Sequence, residues 1–319
     1  MCLSGRVYKS TGSWYVVKTT DGRLWKARIK GVFKMKDITS TNPIAIGDEV
    51  VIEPYPQEAG VAIITNIHER HNYIARTSPH QHKQQHIVAS NLDQAMLICT
   101  LRNPKTSQGF MDRFLATTEA YHIPTIIIFN KLDVYKPKDL TLLETLNETY
   151  QSIGYTVFNV SVATTGSSKN ERMYKSLRQI ENVLNGKTTL LSGHSGVGKS
   201  TIINYLFPNL HLRTQAVSSW SGKGLHTTTF ASMFDLPNGG AIIDTPGIKE
   251  FGLFNISKQE LSHYFVDMRP LLQQCQFNNC IHINEPNCAI KQAVEEGRIY
   301  ASRYISYCNM LESIIEDLR

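Results

Sequence analysis

A chain of 319 residues, 41% of them hydrophobic, can bury a substantial core and has the length of two or three domains. Its net charge of +6 favours a polyanionic partner without identifying one. No apolar run approaches the roughly 18 residues of a membrane span, and the opening MCLSGRVYKSTGS lacks the apolar stretch of a secretory leader, so the expected location is the cytoplasm.

The first 68 residues carry short β-type runs: WYVVKT, LWKARIK, EVVIEPY and VAIITNIHER. Turn signals separate them at Asp21-Gly22, Asn42-Pro43, Gly47-Asp48 and Ala59-Gly60. About five short strands in so few residues predict a small barrel of the OB type. Lys26, Arg28 and Lys30 alternate along one run and so share a face, and Lys34 and Lys36 follow. This basic set is the candidate RNA-binding surface, with Trp25 or Phe33 available to stack on bases. The next stretch, YIARTSPHQHKQQHIVAS over 73–90, is polar and without periodicity and reads as a linker.

From about residue 91 continuous apolar runs alternate with amphipathic ones. LDQAMLICT, PTIIIFN, YTVFNVS and TTLLSG predict buried parallel strands. Between them fall three helical faces: Phe110, Phe114, Leu115 and Ala120; then Leu140, Leu143, Leu146 and Tyr150; then Met173, Leu177, Ile180 and Leu184. This is the pattern of an α/β sheet covered on both sides. Residues 256–319 read as mostly helical, ending in an amphipathic helix through Tyr304, Cys308, Leu311, Ile315 and Leu318.

GHSGVGKS at 193–200, between a predicted strand and the helix STIINYLF, is a full phosphate-loop motif. Gly193, Ser195, Gly196, Val197, Gly198 and Thr201 would line the phosphates with backbone amides. Lys199 would reach the β- and γ-phosphates, and the Ser200 hydroxyl would ligate Mg²⁺. NKLD at 130–133 selects the base. The Asp133 carboxylate can accept from guanine N1–H and N2–H₂, a donor pair that adenine lacks. Asn130 can bond the base edge and tie the loop, the Lys131 stem can cover the ring, and Ser161, Val162 and Ala163 can support the base. AIIDTPG sets Asp244 at a strand end near Mg²⁺, and Gly247 where its amide can meet the γ-phosphate. GLHTTTF offers Thr228 as a Mg²⁺ ligand, with Thr227 and Thr229 as alternatives.

The base-reading segment precedes the phosphate segment here, the reverse of the Ras-like order. A parallel sheet tolerates this, because its ligand meets strand ends regardless of chain order. The element after DTPG then feeds the C-terminal region, which suggests that nucleotide state acts on that region. Ile248 occupies the position where Ras-type GTPases carry a water-orienting glutamine, which leaves His226 as the candidate catalytic residue.

The six cysteines are Cys2, Cys99, Cys275, Cys280, Cys288 and Cys308. Cys275-x4-Cys280-x-His282-x5-Cys288 supplies three thiolates and an imidazole, a donor set for one structural Zn²⁺.

The barrel-type start, ASNLDQ (89–94), NKLD, GHSGVGKS, GLHTTT, DTPG, KEFG (249–252) and the Cys/His cluster together resemble the ribosome small-subunit-dependent GTPases, the circularly permuted RsgA/YjeQ family. One departure is Ser161-Val162-Ala163 in place of a more usual Ser-Ala start. The resemblance implies a multidomain chain with three parts. These are an N-terminal OB-fold β-barrel (1–68), a central circularly permuted α/β phosphate-loop GTPase domain (69–255) and a C-terminal mostly helical zinc-binding domain (256–319). It further implies that the 30S subunit and its 16S rRNA are the partners, with GTP hydrolysis stimulated by that subunit late in its maturation. It also brings the family's proposed catalytic histidine onto His226. Nothing in the sequence suggests more than a monomer. The competing readings are a passive RNA-binding assembly factor and a phosphate-loop kinase or ATPase, and NKLD argues against the latter.

Overall fold

The structure is a computed structural model that describes residues 2–29, 43–77, 85–162, 171–210, 212, 231–245 and 256–314. Five strands open the chain: β1 (Leu3–Ser10), β2 (Tyr15–Thr19), β3 (Leu24–Ile29), β4 (Glu49–Pro54) and β5 (Val61–Ile67). They run in the order β1-β2-β3-β5-β4, and β1 also pairs β4, which closes the barrel. The β3–β5 pairing is parallel and the other four are antiparallel, the connectivity of an OB-fold. Four of these strands coincide with the β-type runs. The fifth, β1, lies in the opening segment, where the sequence showed only the lack of a leader. Alternation sends Val7, Tyr15, Val17, Ala27, Val50, Ile52, Ala62 and Ile64 into the barrel core.

The 73–90 stretch departs from the linker expectation. β6 (Tyr73–Thr77) and β7 (Gln85–Ser90) form an antiparallel pair, with residues 78–84 outside the described set. Ile74, Ala75, Ile87, Val88 and Ala89 are buried. A register shift between Ile74 and Ala75 breaks the alternation, and the intervening polar residues obscure the two short apolar runs.

The central segment carries β8 (Gln94–Cys99), α1 (Gln108–Ala120), β9 (Thr125–Phe129), α2 (Pro137–Ser152), β10 (Thr156–Asn159), α3 (Glu171–Leu184), β11 (Thr188–Ser192), α4 (Lys199–Leu206), β12 (Ser232–Asp235) and β13 (Ala241–Asp244). The strand order is β10-β9-β8-β11-β13-β12; the first five run parallel and β12 antiparallel. Strict alternation divides the sheet's side chains between two cores. Leu97, Cys99, Ile127, Phe129, Leu190 and Ile243 face α1 and α2. Met96, Ile98, Ile126, Ile128, Leu191 and Ile242 face α3 and α4. Buried on both sides, these strands read as unbroken apolar runs in the sequence. Leu140, expected on the buried face of α2, is exposed, because the helix turns Asp139, Leu143, Leu146, Thr149 and Tyr150 inward instead.

The barrel is built onto this sheet. β1 pairs β12 through Lys9 and Ser232, and both the Tyr8 hydroxyl and the Lys18 ammonium donate to Asp235. On the other side lies a buried charge pair. Arg70 donates from Nε and Nη2 to the two oxygens of Asp48, each at 2.6 Å. The Ser90 hydroxyl and the Ala45 amide complete that carboxylate's shell, at 2.5 and 2.8 Å. The ASNLDQ residues act as a clamp here: Asn91 Nδ2 donates to Gly47 O at 3.0 Å, and the Asp93 carboxylate accepts from the Thr188 amide at 2.7 Å.

The C-terminal segment contains α5 (Lys258–Leu261), α6 (Ala289–Glu295) and α7 (Ala301–Ser313), joined by 3₁₀ turns and the Cys/His loops. α7 does not follow the expected stripe. Its buried residues are Arg303, Ser306, Tyr307, Met310 and Leu311, with Tyr304 and Cys308 at the margin; Ile315 and Leu318 lie outside the described residues. An arginine at the centre of a buried face is invisible to apolar periodicity.

Asp48→Ala leaves the Arg70 guanidinium buried without its carboxylate. It should destabilise the barrel by about 3–5 kcal/mol. Denaturant unfolding followed by tryptophan fluorescence, with Trp14 and Trp25 both in the barrel, checks this.

Candidate nucleotide site and metal centre

NKLD follows β9 and GHSGVGKS follows β11, and only β8 lies between these strands. Both motifs therefore emerge at the carboxyl edge of one sheet. They are in direct contact: Asn130 Nδ2 donates to Val197 O at 2.8 Å. Backbone geometry permits the approach. Gly198 has φ +96°, and a β-carbon there would lie 2.4 Å from Asn130 Nδ2; Gly193 has φ +138°, and its β-carbon would lie 2.3 Å from Ile98 O. Asn130 Oδ1 is buried with no hydrogen-bond partner among the described residues.

On the base side, Asp133 is exposed and its Oδ1 accepts from the Ser161 hydroxyl. Lys131 adopts a left-handed backbone, and its ammonium donates to Asn103 O at 2.7 Å. The Tyr135 hydroxyl ties the segment down, donating to Asn130 O at 2.9 Å and accepting from the Leu101 amide at 2.8 Å. Val162 follows Ser161 beyond β10, and Ala163 lies outside the described residues.

On the phosphate side, Ser195 and Gly196 form the turn of the loop, Val197 is buried beneath it, and Lys199, Ser200 and Thr201 make the first turn of α4. The Lys199 ammonium curls back to Gly193 O and His194 O at 2.8 and 3.1 Å. Burial lowers its pKa, opposed by nearby Asp244. Burial raises the pKa of Asp244, opposed by Lys199, and Asp244 Oδ1 is a buried oxygen without a partner among the described residues. A lone carboxylate oxygen close to the phosphate-loop lysine fits a hard divalent cation such as Mg²⁺. Thr245 fixes the strand end by donating from Oγ1 to Leu191 O at 3.1 Å. His226, Thr227, Thr228, Thr229, Gly247, Ile248 and KEFG lie outside the described residues.

One contact here had no signal in the sequence. Phe110, expected to face the core from α1, is only partly buried, and its ring lies 4.1 Å from the His194 imidazole at 35°. Burial first, and then Lys199, lower the pKa of His194, which favours the neutral ring.

The second cluster is Cys275, Cys280, His282 and Cys288, whose ligand atoms all lie within 4.8 Å of one another. His282 Nδ1 is 3.6 Å from Cys275 Sγ and 3.3 Å from Cys288 Sγ. Tetrahedral ligation at about 2.3 Å per thiolate requires donors under about 4 Å apart, so the set fits one metal ion with slight contraction. Burial pushes the Cys280 thiol up to about 12, a bias against its thiolate that a bound cation would offset. The loop is held by groups that the spacing did not reveal. The Glu285 carboxylate accepts from the amides of Ile281 and Ile283 at 2.7 and 2.9 Å. From α7, the Tyr304 and Tyr307 hydroxyls donate to His282 O and Ile281 O, at 2.6 and 2.8 Å. Cys2, Cys99 and Cys308 are free and lie outside the cluster.

On the barrel, Lys26 and Arg28 share the outer face of β3 as expected. Trp25 does not accompany them: it turns to the opposite face and packs against the barrel core. The aromatic partners are Trp14 and Tyr55. The Lys26 ammonium lies 4.2 Å from the Trp14 ring centre, and the Arg28 guanidinium lies 5.8 Å from Trp14 and 5.4 Å from Tyr55. The β2–β3 register, with Tyr15 opposite Ala27, brings Trp14 beside Arg28; this is a cross-strand relation that only the paired strands reveal. Lys30, Phe33, Lys34 and Lys36 lie outside the described residues.

A parallel sheet with a phosphate loop, a guanine-type NKLD in contact with it, and the two in inverted chain order define a circularly permuted phosphate-loop GTPase. Family models agree: that of the RsgA GTPase matches residues 67–254, and that of the RsgA N-terminal domain matches 4–63. The chain belongs to the RsgA GTPase family. It is 49% identical over 313 residues to the small ribosomal subunit biogenesis GTPase RsgA of Azobacteroides pseudotrichonymphae, covering 98% of this chain and 97% of the relative. It is 48% identical over 318 residues to the protein of that name from Flavobacterium psychrophilum, covering 99% and 95%. Among solved structures, YjeQ from Thermotoga maritima superposes with a TM-score of 0.75 at 30% identity, covering 98% of both chains. YloQ, described as a circularly permuted GTPase, superposes with a TM-score of 0.70 at 28% identity, covering 98% of this chain and 95% of that one.

Gly198→Ala drives a methyl group onto the Asn130 amide and separates the two motifs. Nucleotide affinity should fall by about tenfold or more, as measured by titration with a fluorescent guanine nucleotide.

Proposed function

We propose that this GTPase binds the small (30S) ribosomal subunit late in its maturation, hydrolyses GTP to GDP and phosphate when that subunit stimulates it, and couples hydrolysis to its release. The bond from Asn130 Nδ2 to Val197 O carries the nucleotide half of the reading, because it makes one site of two distant segments. The names of the relatives support the subunit half.

In this reading Asp133, whose Oδ1 accepts from the Ser161 hydroxyl, also accepts the guanine N1–H and N2–H₂ donors. Asn130 and Lys131 border the base, and the backbone of Ser161 and Val162 supports it. Amides of Gly193 and of the loop from Ser195 to Gly198, with Ser200 and Thr201 at the start of α4, surround the phosphates. Lys199 leaves its two carbonyl partners for the β- and γ-phosphates. Ser200 and Thr228, with Asp244 alongside, would hold Mg²⁺, which neutralises charge on the phosphates. The Gly247 amide would meet the γ-phosphate. His226 positions the attacking water, since Ile248 has no polar group to do so.

Cys275, Cys280, His282 and Cys288 would hold one structural Zn²⁺, which would cross-link the loop. Lys26, Arg28, Lys30, Lys34 and Lys36 contact phosphates of 16S rRNA, with Trp14 and Tyr55 at their side. The segments 1–68, 69–255 and 256–319 then act as the RNA-binding barrel, the GTPase and the zinc-binding unit of a cytoplasmic monomer. No helix among the described residues is long and apolar enough to cross a membrane.

GTP turnover by the zinc-loaded protein should rise on the order of tenfold to a hundredfold or more with small ribosomal subunits, and not with large ones, at one fixed salt concentration. Binding to small subunits without stimulation would instead favour the passive RNA-binding factor. His226→Ala should slow turnover roughly 100-fold while nucleotide affinity stays nearly constant; full activity would remove His226 from the mechanism. A strong chelator should withdraw about one equivalent of zinc per chain and lower the melting temperature. Metal analysis beside a thermal melt reads both effects.

A further inference from the structure

Helix α1 belongs to two cores at once. Met111, Phe114 and Leu115 pack in the core beneath the sheet, while Ala116 and Ala120 pack with the C-terminal segment. The C-terminal segment grips α1 along its length. Gln108 Nε2 donates to the Ser302 hydroxyl at 3.0 Å, Arg113 Nη2 to the Ser313 hydroxyl at 3.1 Å, and Arg269 Nη2 to Glu119 Oε2 at 2.8 Å. At the centre Arg303, on α7, is buried. It donates to Asp112 Oδ1 at 2.7 Å and to both oxygens of Asp267, at 2.6 and 3.2 Å. Asp112 also accepts from the Tyr150 hydroxyl at 2.9 Å. A guanidinium fixed between two buried carboxylates cannot slip without leaving charge unpaired, so α1 and α7 move as one body. At the N-terminal end of α1, the Phe110 ring lies against the His194 imidazole of the phosphate loop, tilted by 35° with centres 4.1 Å apart. One turn on in α7, Tyr304 and Tyr307 hold the backbone of the Cys/His loop.

We propose that Phe110 is a positioning residue for the phosphate loop, and that α1 carries the state of the C-terminal segment to it through the Phe110–His194 contact. The inference rests on the reading that this loop holds the nucleotide. A nucleotide that orders the loop fixes His194 and hence α1 and α7. Conversely, a partner that displaces the C-terminal segment withdraws Phe110 from the loop and weakens nucleotide binding. The coupling is reciprocal, as any linkage between two binding sites must be.

The test uses the full, zinc-loaded chain, with GDP and Mg²⁺ as the probe. Wild-type protein should show amide exchange over 301–313 slowed at least about fivefold on GDP binding. Phe110→Ala and His194→Ala, which break the contact from opposite sides, should each bind GDP about three- to tenfold more weakly. At saturating GDP both should lose the protection of 301–313. Phe110→Leu, which keeps apolar bulk without the aromatic contact, should behave like Phe110→Ala, and this covers the case in which the alanine variant does not fold. Protection that persists in the variants, or wild-type protein that binds GDP without any change over 301–313, would overturn the inference. Absence of GDP binding by the wild type would overturn the nucleotide reading itself, and the inference with it.

Discussion

The hydrogen bond from Asn130 to the carbonyl of Val197 spans 67 positions in the chain and 2.8 Å in space. It can form because β9 and β11 flank β8 in a parallel sheet, so that everything following them emerges on the same edge. The order of the motifs along the chain then has no bearing on the chemistry at that edge. What the permutation does change is the neighbourhood. With the base-reading half first, β1 of the barrel can pair with β12, and the chain leaving β13 continues toward the C-terminal segment. The sheet is thus joined on its flanks by units that an unpermuted chain would attach elsewhere.

Both junctions use a related physical device, an arginine held by a buried carboxylate. Arg70 and Asp48 hold the barrel loop against the Ser90–Asn91 turn, and Arg303 joins α7 to α1 through Asp112. Such pairs add little stability over apolar packing, but they tolerate no other alignment, because a misaligned partner would leave a buried charge unmatched. Apolar faces can slide past one another, whereas these cannot. A few charged groups therefore set the alignment of the barrel and of α7 on the sheet, beside the apolar cores.

The Cys/His cluster follows a related logic at smaller scale. The segment after Ile256 has short helices and 3₁₀ turns, with a modest core. Three thiols and an imidazole lie within 4.8 Å, and Glu285 and two tyrosines bond the loop backbone, so polar contacts fix the loop beside that core.

The sequence by itself determined the elements whose signals are local. Unbroken apolar runs marked β8, β9 and β11, glycine spacing marked the phosphate loop, and Cys/His spacing marked the cluster; each depends on residues within about a dozen positions of one another. The 73–90 hairpin was missed because its apolar residues are few and a bulge breaks their alternation. Tertiary structure alone decided the rest. Trp14 rather than Trp25 accompanies Lys26 and Arg28, because strand register chooses the neighbour. Phe110 meets His194, and Arg303 lies within a buried helix face, because the partners that make those positions favourable come from elsewhere in the chain. A buried charge or an aromatic contact takes its energy from the group opposite, and nothing in a linear pattern names that group.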